Sequence, residues 1–385
     1  MRPPRILFAY QFLTLGGVEV VMQTRLRELA RRGIEARMLF LAKSGGGESI
    51  FEKMGDQIAV HTEEAEIEKY LRDFKPDWIS TIDTPGIAPI ARRIVPDARI
   101  AYEVHTPYPD YYDLVLDRDL LDAVYGIIVP SQSQKEFIAL RLARPLPIEV
   151  VPNSIPKKFF QTPQSSPPKC NIVMWVGRLD DLKNWRGFIQ LAARVRESIK
   201  AEFWIVGGLR NHEEANLFEA IQKAGLMNSF RWLPAVNYED MPRLYNFVGG
   251  SGGCLVSTSW GESFGMAALE AMASCCPVIA PDVVGLRDIV KHGETGWLYP
   301  SMNIHRACDF VLEAIQDLSA RQTIIENAER EARSLTPAAT VDKLLAVLSE
   351  WSTNALPSAG APNIRAQEAD GSTEKKCGIA SSTDR

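Results

Sequence analysis

A strand-then-helix rhythm runs through this chain twice and breaks once between the two runs. Short apolar stretches alternate with amphipathic ones, the signature of βα units feeding a parallel sheet. In the first run, "RILFAY" (5–10), "EARMLFLA" (35–42), "PDWISTID" (76–83), "RIAYEVH" (99–105) and "GIIVPS" (126–131) read as strands. Residues 16–33, 65–74 and 133–142 between them carry apolar side chains at helical spacing. "NSIPKKFFQTPQSSPPK" (153–169) then interrupts the pattern. It is rich in proline, serine and lysine and has no periodicity, so it reads as a linker. The rhythm restarts with strands at 171–177, 201–208, 230–236, 254–259 and 277–281, and with helices over 187–198, 213–225, 241–247, 265–273, 304–318 and 322–335.

The expected organisation is a first α/β domain over 1–155, a linker over 156–169 and a second α/β domain over 170–335. A terminal helix, 336–351, is expected to cross back to the first domain. The tail, 352–385, is poor in apolar residues and reads as disordered. Each domain has the rhythm of a nucleotide-binding fold, and two such domains facing each other form a cleft.

The net charge of −5 argues against a dedicated nucleic-acid binder. Six cysteines without a CxxC pair give no zinc site and no disulfide framework, which suits a reducing compartment. "MRPPRILFAYQF" has too short an apolar stretch for a signal peptide, and no run reaches the roughly 18 apolar residues of a spanning helix. The expected location is the cytoplasm, with peripheral contact on the inner membrane face left open.

In open α/β sheets ligands sit outside the carboxyl ends of the strands. After 171–177 come Arg178 and Lys183, two cations able to clamp a diphosphate, Arg as a planar fork and Lys as a point charge. An ordinary polar loop, with Asp180 and Asp181 as ion-pair partners, is the equally open alternative. After 254–259, "GESFGMAALEAMA" places Glu262 in a loop and Glu270 eight residues on, inside a helix starting near Gly265. The N–H groups of such a helix start can hold an anion, and a carboxylate can accept both hydroxyls of a ribose diol. The alternative makes Glu262 a cap and Glu270 a solvated position, although an unpaired charge among Leu269 and Ala271 would be costly.

Gly16 and Gly17, after the first strand, allow close backbone approach, but "LGGVE" is not GxGxxG, so the dinucleotide fingerprint fails. His105 ends a strand on the cleft side, followed by Tyr108, Tyr111 and Tyr112, either a stacking platform for a sugar or packing. "GGSGGC" (249–254) lacks GK[ST] and reads as a turn before a strand.

These stretches together resemble one family, the retaining glycosyltransferases of family 4 with the GT-B fold, in which two Rossmann-like domains face across a cleft. The likeness runs from "LGGVE" to about residue 350 and is densest over "STSWGESFGMAALEAMASCCPVIAPDVVGLRDIVKHGETGWLY". "VGRLDDLKN" resembles the family's Gly-Arg…Lys element, and "VPSQSQKEF" and "VPNSIPKKF" its first-domain strand ends. The resemblance implies transfer of a hexose from a UDP- or GDP-linked donor to a glycan, lipid-linked or small-molecule acceptor, without a metal ion or other cofactor. It implies that Glu270 binds the ribose hydroxyls and that Glu262, with the amides of Phe264, Gly265 and Met266, faces the donor sugar and phosphate. Arg178 and Lys183 should neutralise the diphosphate, Gly16 and Gly17 approach the phosphate or acceptor, His105 lie beside the sugar, and the backbone at Ala235 and Val236 hold the base.

Three positions depart from the family pattern: "ESFG" for Glu-Gly-Phe-Gly, "NSIP" for Asn-Gly-Ile/Val-Asp, and Asp288 where glutamate is usual. The competing readings are a non-catalytic nucleotide-sugar-binding subunit, a nucleotide-sugar epimerase of the same fold and an NAD-dependent oxidoreductase. The first helix also carries Arg25, Arg27, Arg31 and Arg32, either a face for an anionic membrane or a solvated surface.

Overall fold

A computed structural model describes residues 2–14, 16–43, 47–52, 54–108, 116, 118–160, 170–208 and 214–353. The first domain contains strands β1 (Ile6–Leu13), β2 (Ala36–Lys43), β3 (Ile58–Val60), β4 (Trp78–Ile82), β5 (Arg99–Glu103), β6 (Gly126–Val129) and β7 (Ile148–Val150). The second contains β8 (Asn171–Val176), β9 (Ala201–Val206), β10 (Phe230–Leu233), β11 (Cys254–Val256), β12 (Val278–Pro281) and β13 (Trp297–Tyr299). Their spatial orders are β3-β2-β1-β4-β5-β6-β7 and β10-β9-β8-β11-β12-β13, with every pairing parallel.

Strand alternation explains why the sheets are covered on both faces. Val173, Trp175, Phe203 and Ile205 enter one core, while Ile172, Met174, Trp204 and Val206 enter another on the opposite face. Leu7 and Ala9 divide from Ile6 and Phe8 in the same way. Successive side chains of a strand point to opposite faces, so a run buried on both sides is apolar throughout.

The last helix, Pro337–Thr353, packs on the first sheet: Val341, Leu344, Val347, Leu348 and Trp351 share a core with Ile6, Phe8 and Leu26. The Trp351 ring lies 5.4 Å from Tyr125 and 6.1 Å from Trp78, centroid to centroid. A Cβ on Gly126 would stand 2.7 Å from that indole, so glycine makes room for it. The two crossings between domains run side by side, the Ile155 N–H donating to the Leu335 carbonyl at 2.9 Å.

Several expectations need correction. The stretch read as a linker starts as core: Ile155 and, in the short 3-10 turn Lys157–Phe160, Phe159 are fully buried with the second domain. Residues 161–169 lie outside the described residues, as do Tyr111, Tyr112 and the tail beyond 353. Helices Ile87–Ile94 and Arg118–Ala123 were not anticipated, and the helix expected at 322–335 starts at Leu318. The arginines of helix Gly17–Arg31 and its cap do not form one basic face. Arg25 is buried against Glu103, Arg31 and Arg32 bind Glu28, Arg32 also binds Asp342, and Arg27 is exposed. The turn expected before a strand at 249–254 is present: helix Met241–Gly250 ends there, Ser251 and Gly252 turn, and β11 follows, a Cβ on Gly253 falling 1.8 Å from the Ile172 carbonyl oxygen.

Candidate active site

Both sheets reverse their strand order beside their first strand, between β1 and β4 in one and β8 and β11 in the other. That reversal opens a crevice at the carboxyl ends of the strands. The loops of the two crevices meet. Gly17 faces the second domain, a Cβ there lying 3.9 Å from Met266 Cγ, and Gly261 past β11 sits under Pro107 past β5. Gly16 is the N-cap of helix Gly17–Arg31 in extended conformation, without a side-chain cap. The loop before it is tied by Glu19, whose buried carboxylate accepts from the Thr14 N–H at 2.9 Å and from its hydroxyl.

After β8 the chain turns around Asp180. Its carboxylate accepts from the Lys183 N–H at 2.9 Å and from Arg178 Nε at 3.0 Å. Asp181 pairs instead with Arg186, at 3.1 Å. The Asp180 ion pair of the polar-loop reading is thus made by Arg178, which stays 45% exposed, while the Lys183 side chain is not paired within the loop. Lys183 Nζ reaches across to Glu262 Oε1 at 2.5 Å, with the two side chains 22% and 14% exposed. Glu262 also accepts from Ser259 Oγ at 3.0 Å. Glu262 is not a cap: helix Met266–Ala273 starts at Gly265 (φ +96°) without any side-chain cap. Its first turn thus presents N–H groups beside the Lys183–Glu262 pair.

Glu270 is not a solvated position either. It is 7% exposed and accepts from the Tyr245 hydroxyl at 3.1 Å. Burial raises its pKa from 4.5 to about 7, and the neighbouring Tyr245 and Tyr238 hydroxyls offset only part of the rise. Ala235 is exposed past β10, and Val236 and Tyr238 pack half-buried against the same core as Glu270's helix. Phe264 is buried in that core.

The loop 262–265 is braced from behind. Gly285 (φ +82°) lies so close that a Cβ would stand 2.6 Å from the Glu262 carbonyl oxygen and 2.7 Å from the Phe264 nitrogen. Ser133 of the first domain holds this brace across the cleft. Its Oγ accepts from the Gly285 N–H at 2.9 Å and donates to Asp288, and its N–H donates to Asp288 at 3.0 Å. Asp288 thus works as an interdomain clasp.

His105 follows β5 and is buried, its Nε2 2.9 Å from Glu103 Oε1. Its backbone N–H, at 3.0 Å, and that of Thr106, at 3.2 Å, donate to Asp83, a residue held at φ +45°. Burial pushes Asp83 up to about 6 against the pull of His105 and these two amides. Tyr108 is 45% exposed at the rim. Glu19, Asp83, Glu103, Ser133, Tyr238 and Tyr245 were not anticipated: their partners lie on other elements, and no local spacing announces them. Among the described residues no group of three or more His, Cys, Asp or Glu is arranged to hold a metal ion.

Residues 15–159 match the family model of Glycosyltransferase Family 4, and residues 156–331 that of Glycosyl transferases group 1. The chain belongs to the GT-B glycosyltransferases. This GT-B chain shares its fold with the Anabaena HepE protein solved with UDP and glucose, at a TM-score of 0.79 and 19% identity, covering 90% of this chain and 100% of that one. It also superposes on sucrose-phosphate synthase from Thermosynechococcus elongatus, at a TM-score of 0.75 and 16% identity, covering 91% and 99%. Among curated relatives it is 29% identical over 192 residues to a D-inositol 3-phosphate glycosyltransferase of Salinispora arenicola, covering 48% of this chain and 42% of that one. It is 25% identical over 218 residues to carrot sucrose synthase isoform 1, covering 51% and 27%. The match thus spans less than half the length of either curated relative.

Proposed function

We propose that this GT-B chain is a retaining, metal-independent glycosyltransferase that moves a hexose from a nucleotide-diphosphate sugar to an acceptor hydroxyl. One observation carries the reading: Lys183 and Glu262 meet at 2.5 Å, with Arg178 on the same loop as Lys183, beside an uncapped helix start at the crevice of the second sheet. Cleaving the bond from the anomeric carbon to the diphosphate leaves negative charge on the phosphate. Two cations and a helix N-terminus, already in place, stabilise that charge as it develops. The acceptor oxygen bonds to the anomeric carbon on the face the phosphate leaves, and the acceptor proton passes to the departing phosphate oxygen. No protein nucleophile enters that sequence.

In this reading Glu270 takes the ribose diol, the amides of Phe264, Gly265 and Met266 meet the donor, and the backbone at Ala235 and Val236 meets the base. His105, Gly16 and Gly17 line the opposite wall. The HepE structures, with UDP and with UDP-glucose, support a uridine donor. The acceptor is a glycan, lipid-linked or small-molecule hydroxyl. The described residues contain no helix long and apolar enough to cross a membrane.

The test is calorimetric titration of UDP, GDP and ADP, with chelator present, into wild type and Lys183→Ala. Binding of one nucleotide by wild type, lost in the variant, is the expected result. Absence of binding by all three, or equal binding by the variant, overturns the donor assignment. The anomeric configuration of the product, read by proton NMR, decides retention.

A further inference from the structure

Three buried polar groups meet behind His105. Arg25 and Glu103 form an ion pair with side chains only 5% and 1% exposed, Arg25 NH1 lying 2.6 Å and 2.9 Å from the two carboxylate oxygens. Ser80 Oγ donates to Oε2 at 2.8 Å, and His105 Nε2 meets Oε1 at 2.9 Å. Each oxygen of Glu103 thus has two partners. Breaking a buried ion pair by removing one partner is costly, so such a pair is weak evidence for stability and better evidence for a fixed geometry. Burial alone would raise the carboxyl of Glu103, but the Arg25 charge and the His105 contact outweigh it and hold the group well below its ordinary range.

An ionised carboxylate can only accept hydrogen bonds, so the imidazole nitrogen facing it must be the donor. In the neutral imidazole the second ring nitrogen is then the only one able to accept. We propose that Arg25, Ser80 and Glu103 are positioning residues that lock His105 as the Nε2–H tautomer and aim its Nδ1 lone pair at a sugar hydroxyl in the cleft. This rests on the reading of the cleft as a sugar-transfer site. The carboxylate fixes both tautomer and ring orientation, as outer partners do for ligating histidines. The sequence conceals the device because Arg25 and Glu103 are 78 residues apart and on separate elements.

The experiment uses the full chain labelled with nitrogen-15 histidine. Its five histidines give separable ring signals, and His105 is assigned from the spectrum of His105→Asn. At mildly alkaline pH the expected result is a protonated Nε2 and an unprotonated Nδ1. A protonated Nδ1, or rapid averaging of both tautomers, overturns the proposal, and this readout needs no variant of the network. The double variant Arg25→Met with Glu103→Gln removes both buried charges together. It is expected to average the His105 signals and lower kcat about 10- to 100-fold, with nucleotide affinity kept in the second domain. An unchanged His105 signature in the folded double variant also overturns the proposal. A locked tautomer in a wild-type chain that transfers no sugar leaves the network standing and sinks the functional reading instead.

Discussion

Glu270→Gln should make the unliganded protein more stable while weakening its grip on nucleotide. In the folded chain the carboxyl is buried and its pKa rises from 4.5 to about 7. The folded state therefore holds a proton that the unfolded state has lost, and stability falls as pH climbs through that window. At 1.36 kcal/mol per pH unit, ionising this carboxylate in the fold costs about 3 kcal/mol once pH passes the folded value. A neutral amide of the same shape escapes that cost. Its oxygen can accept from Tyr245, and its NH2 group can donate towards the neighbouring Tyr238 hydroxyl. The variant should melt roughly 6–12 °C above wild type at about pH 8, taking 2–4 °C per kcal/mol. At roughly pH 5 the two should nearly coincide, because wild type is then mostly protonated. Nucleotide affinity should move the opposite way, falling about 10- to 100-fold with the loss of a charged acceptor. Wild-type affinity should also drop as pH falls below about 7, while the variant's stays flat. The assays are thermal melts at both pH values and calorimetry across the range. A melting difference independent of pH, or a variant less stable at pH 8, would refute the assignment of a buried, raised carboxylate.

Three further perturbations follow from the packing. Gly285→Ala forces a side chain into a φ of +82° and against the Glu262 carbonyl, so kcat/KM should fall about 10- to 100-fold with a stability loss of about 1–3 kcal/mol, read by kinetics and urea melts. Trp351→Ala empties the contact with Tyr125 and Trp78 and should cost about 3–5 kcal/mol in urea denaturation, without changing nucleotide affinity. Ser133→Ala removes the hydroxyl that joins Gly285 and Asp288. Small-angle scattering should then show a larger radius of gyration in the free protein, and an unchanged radius would mean that the clasp does not hold the domains together.

The fold was legible where periodicity had room to show. The long strands, such as β1 and β8, and the longer helices of the second domain follow from apolar spacing alone. The three-residue strands β3, β7 and β13 were missed, whereas β11, equally short, was caught inside the longer stretch read at 254–259. Helix Ile87–Ile94 was masked by Pro89, which reads as a breaker but sits in the first turn, where its missing N–H is not needed. Phe159 shows the reverse error. Proline and serine around it signalled a linker, whereas its own side chain is fully buried with the second domain.

The candidate site was legible only where chemistry is local. Lys183, Glu262 and Glu270 lie in two short stretches, and their residue types at strand ends were enough to single them out. What each carboxylate does was not readable, because that depends on partners brought in by the fold. Glu270 has two tyrosines and a low-dielectric wall, so its charge is disfavoured. Glu103 is just as buried, but Arg25 faces it, so its charge is kept. Glu262 is partly open and paired to Lys183. Arg25 shows the cost of reading a helix without its neighbours: it looks like one cation of a basic face, yet it is the counter-ion of the first domain's core. The departure at position 288 belongs to the same argument. Aspartate there closes on Ser133 across the cleft and, through Gly285, on the backbone that carries Glu262. A substitution that looks like drift in a motif is therefore a link between the first domain and the backbone that positions Glu262.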